Sequence, residues 1–125
     1  MSNFVILCVD NDQAALKVRA LLLVRAGYQV LTAADVEAAL RLFRLNSVDL
    51  VIIEPPPGET PGAGVIGEMK QVRPQVPVIL HTGQMDLPLG WKQADLLLPK
   101  GTSPPDFLAA VDAIVMRSRE GGKRR

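Results

Sequence analysis

Two acids flanking an amide, Asp10-Asn11-Asp12, stand directly after a short apolar run, and Glu54, Thr82-Gly83 and Lys100 each follow another. Carboxylates, a hydroxyl and an ammonium gathered in one place suit a hard cation, which takes oxygen ligands, and an anionic oxygen group, which takes the hydroxyl and ammonium donors. Other chemistries lack their residues. No glycine-rich phosphate fingerprint follows the first run, which disfavours a nucleotide cofactor, and no Ser/His or Cys/His pairing suggests a nucleophilic hydrolase. His81, the only histidine, lies within an apolar run, where a satisfied, partly buried side chain is expected rather than a ligand or phosphate carrier. Cys8, the only cysteine, is expected in the core. It excludes an internal disulfide, and without a Cys/His set for zinc it points to a reducing, cytoplasmic setting.

The elements that must position these residues can be read from hydrophobic period. Phe4 to Val9 is apolar and β-branched-rich, as in a strand covered on both faces. A helix is expected over Gln13 to Ala26, with Asp12 as its cap, Leu16, Ala20, Leu23 and Val24 as its stripe, and Gly27 as a left-handed stop. Strand Tyr28 to Thr32 follows, then a helix from about Ala34 to Leu45 with Val36, Leu40 and Phe43 on one side, then strand Val48 to Ile53. A helix over about Ala63 to Arg73 rests on Val65, Ile66, Met69 and Val72 and is closed by Pro74. Strand Val76 to Leu80 precedes a crossover helix at Met85 to Gln93, which Pro88 and Gly90 shorten or distort. Strand Asp95 to Leu98 leads to a last helix that starts at Ser103-Pro104-Pro105-Asp106 and buries Phe107, Leu108, Val111, Ile114 and Val115. Strand and helix thus alternate five times. That pattern predicts an α/β fold with one doubly wound, five-stranded parallel sheet and helices on both faces. Ligand sites in such sheets lie beyond the carboxyl ends of the strands, where the residues singled out above fall.

The chain has 125 residues, 48% of them hydrophobic, and a formal charge of +1. That length suits one domain with a single core. The charge is an average over unequal parts, because residues through Met116 carry nine basic and twelve acidic side chains and the last nine carry five and one. We therefore read 1–116 as the domain and 117–125 as a flexible basic tail, solvated and without interleaved aromatics, so that nucleic acid is not an expected partner. Phe4 to Val9 has no positive flank and is cut short by Asp10, which fits neither a signal peptide nor a membrane span. Eight of the twenty Gly and Pro residues fall between Glu54 and Gly67.

Ile6 to Asp12, Ala26 to Val30, Asp49 to Glu54, Pro77 to Gly83 and Ala94 to Lys100, in this order and spacing, resemble the receiver domain of bacterial two-component response regulators. The resemblance implies a CheY-like, flavodoxin-like fold with strand order 2-1-3-4-5. It also implies an aspartate after the third strand that accepts a phosphoryl group from a histidine kinase, and two acids after the first strand that help to hold magnesium. A Thr or Ser after the fourth strand and a Lys after the fifth bind the phosphoryl oxygens. Glu54 stands at the phosphoacceptor position, Thr82, Gly83 and Lys100 at the phosphoryl-binding and switch positions, and Asp10, Asn11 and Pro56 at the metal positions.

Several positions depart from that pattern. Asn11 removes a negative charge from the metal site, so magnesium is at most a weakly held cofactor. Glu54 is one methylene longer than aspartate; it either imitates the phosphorylated state or pairs with Lys100 for structure alone. In the family the residue two beyond the acceptor gives its carbonyl to the metal and its N–H to the phosphoryl group, and Pro56 has no N–H. Leu97 replaces the usual aromatic switch residue, and Gly101 stands where a proline commonly follows the lysine. Trp91, the sole tryptophan, either anchors an interface or covers a sheet edge. Leu97 and Trp91 both belong to the face, built on the crossover helix, fifth strand and last helix, that receivers use for partners.

The expectation is a stand-alone, degenerate receiver that is not an enzyme. It works by binding a protein, a sensor kinase or a downstream signalling partner, with phosphorylation lost or impaired and homodimerisation left open. The alternatives are a magnesium-dependent receiver that still accepts phosphate and a flavodoxin-like binder of a small anion.

Overall fold

Alternation along the strands sets the architecture. The computed structural model describes residues 4–54, 64–83 and 93–123. Among these, five strands, β1 (Val5–Val9), β2 (Gln29–Ala33), β3 (Leu50–Ile53), β4 (Val78–Thr82) and β5 (Leu96–Pro99), form one sheet in the order β2-β1-β3-β4-β5. Every neighbouring pair is parallel. Four helices accompany them: α1 (Gln13–Arg25), α2 (Val36–Leu45), α3 (Val65–Val72) and α4 (Pro104–Lys123). Leu7, Val9, Val51, Ile53, Val78 and Leu80 point to one face and pack with Ala39 and Phe43 of α2 and Val65, Ile66 and Met69 of α3. Ile6, Cys8, Leu50, Ile52 and Ile79 point to the other, against Leu16 and Leu23 of α1 and Phe107, Val111, Ile114 and Val115 of α4. The α/β fold and strand order expected from the sequence are those observed. The expected crossover helix over Met85 to Gln93 falls largely outside the described residues, as do Trp91 and Pro55 to Pro57.

Local chemistry fixes the element ends. Asp12 caps α1 by accepting the Ala14 and Ala15 N–H groups at 3.1 and 3.2 Å, and the Ser103 hydroxyl accepts the Asp106 N–H at the start of α4. Asp49, the charged residue in the third apolar run, accepts the Val5 N–H at 2.8 Å and ties the start of β3 to β1. Gly27 ends α1 at φ 102°. A Cβ there would meet nothing within 4 Å, so the cost of Gly27→Ala is that of the left-handed backbone alone, roughly 1–2 kcal/mol. Chemical denaturation should show that loss with an unchanged dependence on denaturant.

Three expectations need correction. Val24 is 53% exposed and Val72 42% exposed, so neither belongs to the buried face of its helix. On α1 the place taken from Val24 in the expected stripe belongs to Arg19, which is buried between Leu16 and Leu23. The last helix also runs on through Lys123, past Met116, where the charge pattern sets off the basic segment.

Candidate functional site

The alternation that divides the core also aims the residues after each strand. Asp10 continues the Ile6–Cys8 face of β1, Glu54 the Leu50–Ile52 face of β3, and Lys100 the Leu96–Leu98 face of β5, so all three point toward the side that carries α1 and α4. The structure brings them together. Lys100 Nζ lies 2.7 Å from Glu54 Oε2 and 3.3 Å from Asp10 Oδ2. Its backbone N–H donates to the Thr82 carbonyl at 3.0 Å, and a Cβ at Gly83 would come within 3.9 Å of its side chain. Thr82 is buried at the end of β4. Asn11 is exposed beside the cluster, and Leu97, 52% exposed, lies on β5.

Arg19 is the member of the site that sequence reasoning missed. Its Nη1 donates to Asp10 Oδ2 at 3.1 Å from the buried face of α1. The signal was present, since Arg19 lies three residues after Leu16 and four before Leu23, on one helical face. A guanidinium in that stripe needs a buried acid nearby, and Asp10 is the acid that strand alternation turns toward α1.

Asp10 has no exposed surface, and both of its oxygens have partners within the protein. Oδ1 accepts the Asp12 N–H at 2.9 Å, and Oδ2 faces both Arg19 and Lys100. Burial alone would raise its pKa, but the Asp12 N–H, Arg19 and Lys100 outweigh it and hold the carboxyl below its usual range. Glu54 is shifted the other way. Burial pushes it up and the Asp10 charge adds to that push, while Lys100 offsets only part. Asp10 therefore keeps its charge and Glu54 takes the first proton. With Arg19 and Lys100 opposite Asp10 and Glu54, the four formal charges sum to zero.

His81 packs on Phe107 with ring centroids 5.4 Å apart. It is buried as expected, but its Nδ1 has no hydrogen-bond partner among the described residues, so the expectation of a satisfied side chain is corrected. Burial, with the charges of Arg19 and Lys100, lowers its pKa from 6.5 to about 4. Between those values the unfolded chain takes a proton that the folded chain refuses, so stability falls as pH drops through this window. Allowing for solvent screening, the loss is on the order of 2 kcal/mol. Urea unfolding of the wild type and His81→Leu at both ends of the window should show it as a difference between the two proteins. Glu54 acts with the opposite sign but is common to both and cancels. Cys8, wholly buried, has its thiol pushed up to about 12 by burial and is core packing, as expected.

Comparison with known proteins agrees with this geometry. The sequence profile of the response regulator receiver domain matches residues 6–111. The chain belongs to the response regulator receiver domain family. The receiver is 31% identical over 120 residues to the alkaline phosphatase synthesis transcriptional regulatory protein PhoP of Bacillus subtilis, covering 93% of this chain and 50% of that protein. A receiver domain from Clostridium thermocellum matches with a TM-score of 0.81 and 30% identity over 93% of this chain and 97% of that one. A CheY-like receiver from Methanospirillum hungatei matches in fold with a TM-score of 0.87 at 23% identity, over 96% and 99% of the two chains. The receiver spans half or less of the curated relatives it matches. Among the described residues no helix is long and apolar enough to cross a membrane.

The family resemblance implies magnesium, and the residues present do not fit it. Asp10 is closed by two cations and a backbone donor, Glu54 by Lys100, and position 11 carries an uncharged, exposed amide. Among the described residues no group of three or more His, Cys, Asp or Glu side chains is placed to hold a metal ion.

Proposed function

We propose that this receiver is a protein-interaction module of two-component signalling whose strand-end site works without phosphoryl transfer. The observation that carries the reading is the closure of the site. The carboxylate of Asp10 is buried and spent on Arg19, Lys100 and the Asp12 N–H, while Glu54, at the acceptor position, is paired to the lysine expected to bind a phosphoryl oxygen. Glu54 and Lys100 hold the acceptor and phosphoryl-binding positions together by a direct ion pair. The end of β3 and the turn after β5 are thereby tied by a direct contact.

A protein partner, either a sensor kinase or a downstream signalling protein, reads this fixed surface. The half-exposed Leu97 on β5 is available to it, and Trp91, outside the described residues, is proposed as a second contact. Binding energy at such faces concentrates on a few apolar or aromatic anchors. The relatives are named as transcriptional regulatory proteins, and a downstream partner in that process suits the same reading.

The test is to incubate the wild-type protein with acetyl phosphate and magnesium and weigh it intact. An unchanged mass is expected; a phosphoryl adduct would overturn the proposal in favour of a magnesium-dependent acceptor.

A further inference from the structure

We infer that Arg19 is the receiver's resident substitute for a divalent cation, a guanidinium delivered from α1 to the carboxylate that would otherwise help to hold metal. This deepens the proposed reading of the site as one that needs no phosphate, and it rests on that reading.

Three observations carry it. The first is placement. Arg19 is 6% exposed, lies on the core-facing stripe of α1, and makes its hydrogen bond to Asp10 Oδ2. A long charged side chain is rarely buried to this extent unless it is paired, and an apolar residue would suit the space between Leu16 and Leu23. The second is charge. Two acids and a lysine alone would leave the site at −1, enough to draw a cation toward Asp10 and Glu54, whereas Arg19 brings the sum to zero. A divalent ion approaching Asp10 Oδ2 would have to compete with the two positive groups already there. At the separations found here such repulsions remain strong even with an effective dielectric well above that of a dry interior. The third is acceptor use. Asp10 Oδ1 accepts the Asp12 N–H and Oδ2 is shared by Arg19 and Lys100, so a metal at Oδ2 would compete with both cations.

Arg19 also differs from a metal in a way that matters for signalling. A bound ion comes and goes with its concentration, but a guanidinium attached to α1 is always present and always charged. The site is thus held in one arrangement whatever the supply of divalent cations, and α1 is fastened to the strand end by the same bond.

The experiment measures Mn2+ binding by electron paramagnetic resonance for the wild type, Asn11→Asp, Arg19→Met, and the double variant. Methionine keeps an apolar stem along the helix stripe and removes the charge. The wild type should not bind at millimolar Mn2+. Asn11→Asp, which restores an acid beside an intact Arg19, should bind weakly, and the double variant at least tenfold more tightly than Asn11→Asp. Equal affinities for Asn11→Asp and the double variant would overturn the inference and leave the phosphate-independent reading standing. A phosphoryl adduct on the wild type would overturn that reading whatever the Mn2+ result. Should Arg19→Met fail to fold, the wild type still provides a test. Ligands that bind only the native state raise its melting temperature, so millimolar magnesium should leave the melting temperature where EDTA does, and a clear rise would overturn the inference.

Discussion

Asp10→Ala is expected to destabilise the receiver by about 3–5 kcal/mol, the range for removing one partner of a buried ion pair. The cost comes less from the lost bond than from what remains. Arg19, buried under α1, would be left with its charge and no acid facing it. Lys100 is less affected, because its ammonium is partly exposed and keeps Glu54 at 2.7 Å. The asymmetry yields a second expectation. Asp10→Ala combined with Arg19→Met removes both charges from the low-dielectric region, and replacing a buried pair by apolar groups is often close to neutral. The double variant should therefore recover most of the loss, and a double-mutant cycle in urea would measure the coupling. Additive single losses would show that Asp10 and Arg19 do not act as a pair.

The second large effect concerns transfer chemistry. Glu54→Asp restores the side chain that the family uses as phosphoacceptor, yet it is expected not to restore phosphorylation. The shorter carboxylate still faces a site in which Asp10 is bound to Arg19, Asn11 supplies no charge, and Pro56 supplies no N–H. Loss of one donor to a developing oxyanion in a preorganised site costs about 2.7–4 kcal/mol, a factor of 100 to 1,000 in rate. Weakened metal binding adds to that. Intact mass after incubation of Glu54→Asp with acetyl phosphate and magnesium should remain that of the unmodified chain. Stoichiometric phosphorylation would show that the glutamate alone silences the site.

Much of this was legible in residue order. Apolar runs ending in Asp10, Glu54, Thr82 and Lys100 are strand signals with polar ends, and a parallel sheet must bring such ends to one edge. The cap at Asp12 and the stop at Gly27 follow from side-chain and backbone chemistry that acts within a few residues, so they too were readable. What could not be read was which way the helix faces turn. Leu16, Ala20, Leu23 and Val24 form an acceptable apolar stripe, but α1 carries apolar residues around much of its circumference, and Val18, Leu21 and Val24 remain exposed. A stripe so broad leaves the buried direction undecided until the sheet beneath supplies a reason. That reason is Asp10, a carboxylate that cannot be buried without a positive partner. Arg19 was thus hidden by the ordinary expectation that arginine is solvated. Val72 is a smaller instance of the same limit, since it is the last residue of α3 and is 42% exposed.

The role of Glu54 is sharper for the same reason. Sequence left it between a structural ion pair and an imitation of the phosphorylated state. The ion pair with Lys100 is present; burial and the Asp10 charge raise the Glu54 pKa, and Lys100 offsets only part of that push.

The most direct test of the central claim is a titration of the wild-type receiver with magnesium and beryllofluoride, followed through the backbone amide shifts of Thr82, Gly83 and Lys100. A site already closed by Arg19, Lys100 and Glu54 should give no saturable response. A saturable shift centred on Thr82 and Lys100 would show that the site still takes metal and a phosphoryl analogue, and would contradict the account.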